Sequence, residues 1–473
     1  MGFDVVVVGG GTAGCVLASR LSESPDVRVG LLEAGPDYGP LAGGQWPPEL
    51  LDPWTLPSSH SWGEGGEDRR SLGGRLLGGS SAVNACMVVQ GTPADYDEWG
   101  GDWSYGVMRP FLERARAVLR TASANSRSPG PFHTAFLDAA QAVGLPLLAH
   151  PDDPASPVGV APFPANVVED VRWNAAFAYV DPCRARPNLT IVADTLVDRV
   201  VLSGTRATGV VTAEGRVIEA GTVVLAAGAY FSPAILLRSG IGPEAELARL
   251  GIAVASDLPA GTQLLDHCGT NVAWEVAPAL AEHVAAQARQ VALVQPHAVV
   301  KAASSSCPSD SWDLHLLSWI YPRDGGFEAS AIVFHMKPSS AGRVALRSLD
   351  PREPPLVERG FLSRGLDLPT IVEGIELARA LAAAEPLRDL LAGEIDPGPL
   401  DAAEYVRRTI RNYFHPAGTC AIGSVVDERC HVFGIDGLVV ADASVMPTIP
   451  RANTNLTTAA IAERVAGWLP IEG

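Results

Sequence analysis

The chain has 473 residues and a formal net charge of −18, because 35 Lys and Arg face 53 Asp and Glu. So acidic a composition argues against nucleic acid as a partner, since binding of phosphates draws on clustered cationic side chains. With 47% hydrophobic and 19% charged residues, the chain is too apolar for disorder and predicts a folded protein of two or three domains.

The seven cysteines are scattered, with neither a Cys-x-x-Cys pair nor a spacing typical of metal ligands. We therefore predict reduced thiols and no metal site. The N-terminus has no basic segment and no cleavage motif of a secretion signal, which predicts a cytoplasmic protein. The uncharged run at 220–237 is interrupted by Gly228 and Pro233, so it predicts a strand, a turn and a helix start, and no membrane span.

The first elements in chain order form a βαβ unit. Residues 4–8 (DVVVV) are typical of a buried parallel strand, residues 12–22 predict a helix, and residues 27–33 predict the second strand. Residues 40–79 are rich in Gly, Pro, Ser and Trp and predict a long ordered loop. Further along, the sequence predicts helices at 106–121 and 134–143 around a polar loop at 122–132, strands at 189–192, 196–202 and 223–226, a surface connector at 301–311, and one or two helices at 368–393.

A glycine-rich turn follows the first predicted strand. Gly9, Gly11 and Gly14 have the Gly-x-Gly-x-x-Gly spacing, in which the three glycines permit a tight turn, a close approach to a pyrophosphate, and close helix packing. Glu33 ends the second strand, where a carboxylate can accept hydrogen bonds from both ribose hydroxyls. This motif predicts a site for an adenine dinucleotide, either FAD or NAD.

A second glycine-rich motif, GRLLGGSSAVN, extends from Gly74 to Asn84. Its Gly-Gly-Ser-Ser turn exposes backbone N–H groups that can cradle a phosphate. The motif resembles that of the glucose–methanol–choline (GMC) oxidoreductases, FAD enzymes that mostly oxidise alcohols. Further segments that resemble this family follow in its order at 95–105, 227–243, 258–267, 338–344 and 415–455.

The resemblance implies an α/β fold with two domains. A doubly wound, Rossmann-like FAD-binding domain is expected from residues 1–110, 188–270 and 405–473, and a second, α+β substrate-binding domain from 111–187 and 271–404. The residues that the sequence and the resemblance together assign to FAD are Gly9, Gly11, Thr12, Ala13, Gly14, Glu33, Ala34, Arg75, Gly78, Gly79, Ser80, Asn84, Ala85, Cys86, Met87, Val197, Ala227, Asp442, Ala443, Asn453 and Thr454.

The same resemblance implies a catalytic pair, His415 and Asn453, beside the flavin. Oxidation of an alcohol needs a base for the hydroxyl proton, which His415 can supply, and a group that holds the oxygen, which the Asn453 amide can supply. The expected substrate is a small-molecule alcohol, and the electron acceptor is O2, a quinone or another carrier. Two alternatives stay open: a flavin-containing hydroxynitrile lyase, in which the histidine acts without net redox chemistry, and a non-catalytic flavin-binding protein.

Some positions depart from the family's pattern. Val83 precedes Asn84 where some relatives carry the histidine that is linked to the flavin, so we predict non-covalent FAD. Gln90 stands in place of a common arginine, and the segment Arg172-Trp173-Asn174 departs from the usual Arg-x-Ser. These changes concern loops near the substrate side.

Several other candidate residues receive a structural interpretation. We expect solvated surface side chains at Arg172 and Arg451, because exposed arginines far outnumber buried ones. The other nine histidines are expected to be core or surface residues without a catalytic role, and small buried thiols are expected near the flavin. The nine histidines include His267, His315 and His335, and the two thiols are Cys86 and Cys420.

Overall fold

The valine run near the N-terminus lies in the middle of the first of two large sheets. The computed structural model describes residues 2–57, 59–62, 72–122, 130–153, 157–288, 297–323 and 325–469. The strands are β1 Phe3–Val8, β2 Val29–Leu32, β3 Gly159–Pro162, β4 Val167–Val168, β5 Val171–Arg172, β6 Leu189–Val192, β7 Val197–Ser203, β8 Arg206–Thr212, β9 Val217–Leu225, β10 Cys268–Val276, β11 Ala298–Ala302, β12 Leu314–Arg323, β13 Gly326–His335, β14 Arg343–Ala345, β15 Leu356–Glu358, β16 Leu391–Asp396, β17 Arg411–Asn412 and β18 Leu438–Val440.

One helix connects the first two strands of the first sheet, and several others pack on one face of the second sheet. The helices are α1 Thr12–Leu21, α2 Pro48–Leu51, α3 Pro93–Asp97, α4 Tyr105–Val118, α5 Pro131–Ala142, α6 Gly228–Arg238, α7 Glu244–Arg249, α8 Pro278–Ala288, α9 Asp367–Ala383, α10 Ala402–Thr409 and α11 Thr454–Ala466, with a π-helical turn at Ala176–Val180 and short 3₁₀ turns at Leu41–Gly43, Gly79–Ala82, Gly101–Trp103, Leu387–Leu390 and Ala443–Val445.

In the first sheet the strand order is β6-β2-β1-β9-β8-β7, and β18 also pairs with β9. The strands β6, β2, β1, β9 and β18 are parallel, whereas β7 and β8 form an antiparallel extension of β9. Residues Val5–Val8 are buried, as expected for a parallel strand that is covered on both faces. The helices α1, α4 and α11 pack together beside this sheet. The predicted doubly wound α/β fold is thereby confirmed.

The second sheet is antiparallel, with the order β16-β10-β13-β12-β11-β3, and β17 pairs with β10. Side chains alternate between its two faces. On β12, Leu314 and Leu316 join the core that is covered by α5, α9 and α10, while Leu317 and Trp319 face the other way. That other face belongs to an aromatic cluster that we call the aromatic face: Phe163, Trp312, Trp319, Phe334 and Tyr413.

Most predicted elements are observed close to their expected bounds. Residues 220–237 form the end of β9 and nearly all of α6, and no helix in the described ranges is long and apolar enough to cross a membrane. The predicted connector at 301–311 is wrong at its start, because Lys301 and Ala302 complete β11 and are buried. The predicted loop at 122–132 falls largely outside the described residues, and the predicted division into domains stays a prediction.

Candidate active site

The first glycine turn forms a shallow cradle at the N-terminus of α1. A Cβ at Gly14 would lie 1.8 Å from the carbonyl oxygen of Gly9, and Gly9 itself has a φ of +99°. Both positions therefore require glycine. At Gly11 a Cβ would meet only Gly79 Cα, at 3.9 Å, and α1 has no side chain that caps it. The turn thus presents backbone N–H groups to an open space, an arrangement that suits an anion.

The second glycine motif packs directly on the first. The Gly78 amide donates to the Gly10 carbonyl at 2.7 Å, and a Cβ at Gly79 would lie 2.6 Å from Gly11 Cα. Gly78 and Gly79 both have positive φ, +96° and +52°. The structure therefore brings together two motifs that are separated by more than 60 residues, and the 3₁₀ turn Gly79–Ala82 starts at the same cradle. Ser80, within this turn, is exposed.

Glu33 is buried behind the cradle. Its two carboxylate oxygens accept hydrogen bonds from the amides of Gly10, at 2.7 Å, and Gly35, at 2.8 Å. Burial raises the pKa of this carboxyl to about 7, against the lowering effect of these amides. Next to it, Arg75 Nε donates to the Ala34 carbonyl. A cavity of about 280 Å³ opens here, and it is lined by Trp62, Arg75, Asp194, Leu196, Glu214, Arg352 and Pro354.

Asp442 joins β18 to the start of α6. Its Oδ2 accepts from Ser232 Oγ at 2.5 Å and from the Gly228 amide at 2.8 Å, while Oδ1 accepts from the Ser444 amide. Burial raises the pKa of Asp442. Ala227 and Ala443 directly adjoin these contacts in the chain.

The N-termini of two helices converge at the same place. Thr12, the first residue of α1, donates its hydroxyl to Asn455 Oδ1 at 2.6 Å, and Asn455 lies in the first turn of α11, which begins at Thr454. Because the N-terminus of a helix carries partial positive charge, this arrangement favours an anionic group between the two ends. Ala13 lies buried in the first turn of α1.

The remaining predicted cofactor residues lie on the loop that leaves the second glycine motif, apart from Val197, which begins β7. Asn84 Oδ1 accepts from the Cys86 amide at 2.9 Å, and Cys86 has a positive φ of +58°. The Cys86 thiol is buried, which raises its pKa and agrees with the expected small buried thiol. Ala85 and Met87 flank it, and Met87 bridges to Ala165.

The predicted catalytic pair is assembled from the two halves of the molecule. His415 follows β17 of the second sheet and Asn453 precedes α11, yet Asn453 Nδ2 lies 3.3 Å from His415 Nε2. Asn453 Oδ1 accepts from the Val89 amide at 3.0 Å, which fixes the orientation of the amide. Both side chains are buried, and burial lowers the pKa of His415 to about 3.

The sequence interpretation missed three residues around His415. His267, expected to be an ordinary core or surface residue, is buried with its Nδ1 2.8 Å from His415 Nδ1. Asp266 Oδ1 accepts a hydrogen bond from the backbone N–H of His415 at 2.9 Å, and burial raises the pKa of Asp266 to about 7. The Tyr413 ring lies 4.3 Å from the His415 ring and stacks on Phe334. The position of Asp266 and His267 at the end of the segment 258–267 was the signal that could have identified two of them.

The expectation that Arg172 and Arg451 are solvated is wrong. Arg172 is fully buried, and its guanidinium donates to the carbonyls of Leu50, Asp52 and Thr55, so a loop satisfies its donors without a carboxylate. Arg451 is buried against Asp95, with 2.6 Å between Nη1 and Oδ1. Both arginines hold loops that surround the site.

His315 and His335 are buried, as a core assignment requires, although His315 Nδ1 lies 3.2 Å from the Tyr413 hydroxyl. The side-chain oxygen of Gln90 accepts a hydrogen bond from Arg116, and its backbone N–H donates to Asp152. At this departure from the family's pattern, Gln90 therefore forms a local hydrogen-bond network. Cys420 is buried as expected.

These residues fit an adenine dinucleotide cofactor. The open space at Gly11 and the two converging helix ends suit a diphosphate, the Glu33 carboxyl behind them suits a ribose, and Asn453, the partner of His415, directly precedes the second of these helices.

Similarities to known proteins identify the family of the chain. Two sequence models of a family described as GMC oxidoreductase match residues 3–269 and 338–462. The chain is 36% identical to 5-(hydroxymethyl)furfural oxidase of Methylovorus sp. (strain MP688), over 98% of both chains, and 32% identical to mitochondrial choline dehydrogenase of Homo sapiens, over 98% of this chain and 89% of the relative. Among solved structures it resembles pyridoxine 4-oxidase from Mesorbium loti, with a TM-score of 0.84, 26% identity and 99% coverage of each chain.

Proposed function

Since the chain belongs to the GMC oxidoreductase family and is an FAD-dependent enzyme that acts on CH–OH donors, we propose that His415 is the base that removes the hydroxyl proton from an alcohol. The observation that carries this proposal is the pairing of His415 Nε2 with the Asn453 amide in a buried site. The product is an aldehyde or a ketone.

The chain's own groups divide the chemistry between them. The hydroxyl proton passes to His415 Nε2, and the Asn453 Nδ2–H group donates to the alcohol oxygen as negative charge develops there. Burial of both side chains excludes water, which strengthens these interactions. The chemistry that FAD would supply when bound is acceptance of the hydride that leaves the α-carbon. One proton and one hydride leave the substrate, and its C–O bond becomes a C=O bond.

The cofactor contacts follow from the same geometry. We assign the diphosphate to the backbone amides at the start of α1 and α11, the ribose to Glu33, and the adenine to the cavity beside Arg75 and Leu196. The loop 78–87 offers no histidine for a covalent bond, and its one thiol, Cys86, is buried with a raised pKa. FAD is accordingly bound without a covalent link.

The aromatic face supports a narrower substrate class. Tyr413 and Phe334 stack at 3.8 Å next to His415, and Phe163 and Trp319 belong to the same buried cluster. A flat ring that enters the site beside such a cluster packs favourably against its aromatic side chains. The names of the furfural oxidase and the pyridoxine oxidase, both of which this chain resembles, refer to alcohols on aromatic rings. We propose that the substrate carries its CH–OH group on an aromatic or heteroaromatic ring.

The test is the visible spectrum of the purified holoenzyme under anaerobic conditions, before and after addition of benzyl alcohol, 5-(hydroxymethyl)furfural, choline and aliphatic alcohols. Bleaching of the oxidised-flavin band by the ring alcohols is the expected result. A flavin that stays oxidised with every alcohol, together with cleavage of a cyanohydrin, would support a lyase instead. Oxygen consumption compared with reduction of a quinone identifies the electron acceptor.

Two variants test the role of His415. His415→Ala should lose flavin reduction by about 10²- to 10⁴-fold, the range for a general base. His431→Ala is the matched control, because the side chain of His431 is partly exposed, pairs with Asp427 and lies outside the site. Equal rates in the two variants would refute the assignment of the base.

A further inference from the structure

A directed chain of hydrogen bonds leads from a backbone carbonyl to His415. His267 Nε2 lies 3.1 Å from the Pro450 carbonyl oxygen, and its other ring nitrogen, Nδ1, lies 2.8 Å from His415 Nδ1. A carbonyl oxygen only accepts hydrogen bonds, so His267 Nε2 must carry the proton. The opposite tautomer would set a nitrogen lone pair against the carbonyl oxygen at the same distance.

The charge state of the two rings completes the assignment. Burial lowers the pKa of both His267 and His415, so both rings are neutral and each carries one N–H. Because the His267 proton is on Nε2, its Nδ1 is a bare acceptor, and His415 must donate to it from Nδ1. His415 Nε2 is then left unprotonated, and this is the nitrogen that faces Asn453.

The carbonyl at the origin of this chain is itself fixed. Pro450 O also accepts from the Ala452 amide at 2.8 Å, and the next residue, Arg451, is tied to Asp95 through both its amide and its guanidinium. The backbone of the turn that also carries Asn453 therefore sets the direction in which these hydrogen bonds are donated.

We propose that His267 is a positioning residue that fixes the tautomer of His415, so that Nδ1 carries the proton and Nε2 is free to act as the base. This inference rests on the proposed function of His415. When Nε2 takes up the hydroxyl proton, the His415 Nδ1–H group continues to donate to neutral His267, and the bond becomes charge-assisted. His267 thus favours both the reactive tautomer and the cation that forms from it.

The direct test is nitrogen NMR of the perdeuterated holoenzyme labelled with ¹⁵N-histidine. We expect a proton on Nδ1 and a bare Nε2 at His415, and a proton on Nε2 and a bare Nδ1 at His267, with the signals assigned by their loss in His415→Asn and His267→Asn. A proton on His415 Nε2 would overturn the inference without reference to activity.

Two amide variants separate the acceptor from the donor of His267. In His267→Asn the amide oxygen can occupy the position of Nδ1 and still accept from His415, whereas in His267→Gln the amide reaches the position of Nε2 and can bond only to Pro450. We expect His267→Gln to lower the limiting rate of flavin reduction by about 10- to 100-fold, the range for a hydrogen bond to a charged group, with little change in the substrate concentration at half-maximal rate. His267→Asn should recover most of the rate.

These variants distinguish failure of the proposed function of His415 from failure of the proposed role of His267. If His415→Ala retains flavin reduction, the proposed function fails. If His415→Ala is inactive but His267→Gln reduces the flavin at the wild-type limiting rate, only the role of His267 is refuted. The flavin content of His267→Gln distinguishes loss of the hydrogen-bond acceptor from misfolding. If this variant does not fold, His267→Asn, which changes the same buried position, and the NMR measurement decide: a folded His267→Asn that binds FAD but does not recover the rate would refute the role of His267.

Discussion

Replacement of Asp95 by asparagine tests how strongly a buried ion pair holds the turn at 450–453. Asp95 has no exposed surface, and its Oδ1 contacts Arg451 at 2.6 Å and Lys337 at 3.2 Å. The substitution preserves the shape of the side chain but leaves the buried Arg451 guanidinium without its counter-charge. It should therefore lower the free energy of unfolding by about 3–5 kcal/mol. At about 2.1 cal/mol/K per residue, the unfolding entropy of 473 residues is about 1 kcal/mol/K, so the melting temperature should fall by about 3–5 °C.

The chain contains a matched control for this prediction. Glu98 pairs with the same Lys337 at 2.7 Å, but its side chain is 42% exposed. Glu98→Gln should therefore cost about 0–1 kcal/mol and shift the melting temperature by at most about 1 °C. Both variants are compared with the wild type by calorimetry and by release of flavin fluorescence. Equal shifts for Asp95→Asn and Glu98→Gln would refute the argument that burial makes the difference.

Three further predictions concern the cofactor and the base. Gly14→Ala should yield little folded protein, because its Cβ would meet the Gly9 carbonyl at 1.8 Å, whereas Gly11→Ala, which meets no atom closer than 3.9 Å, should fold and lose affinity for FAD in a titration. Trichloroacetic acid should release all FAD into the supernatant, and flavin that remains with the protein would contradict non-covalent binding. Since the pKa of His415 is lowered to about 3, this base is unprotonated at every pH at which the enzyme is assayed. The limiting rate of anaerobic flavin reduction should therefore be constant from about pH 8 to about pH 5. A fall in this rate at about pH 6.5, the ordinary pKa of histidine, would show that the site does not lower the pKa of His415.

The first βαβ unit could be predicted from the sequence because its signals are local. A run of valines, a glycine turn and a helix follow each other within 30 residues, and the structure places β1, α1 and β2 close to the expected bounds. The order of the family's motifs likewise led to His415 and Asn453, which the structure brings within hydrogen-bonding distance.

The burial of Arg172 and Arg451 had no local signal. The carbonyls that bind the Arg172 guanidinium lie about 120 residues earlier in the chain, and Asp95 lies about 350 residues before Arg451. An arginine is ordinarily exposed, and only the folded loops supply partners that make burial affordable. The same reason explains why His267 was assigned to the core: its partner His415 is 148 residues away.

The pairing of β18 with β9 has a consequence for synthesis of the chain. Leu438–Val440 lie parallel to Val223–Leu225 in the middle of the first sheet, although more than 200 residues separate them. While the ribosome makes those residues, β8 covers this edge of β9 only at Val217–Glu219, so the edge at Val223–Leu225 has no neighbour. An exposed edge of a hydrophobic parallel strand invites pairing with other chains. The nascent protein is therefore most prone to aggregate during this interval, and chaperone dependence should fall once residues 438–466 have emerged.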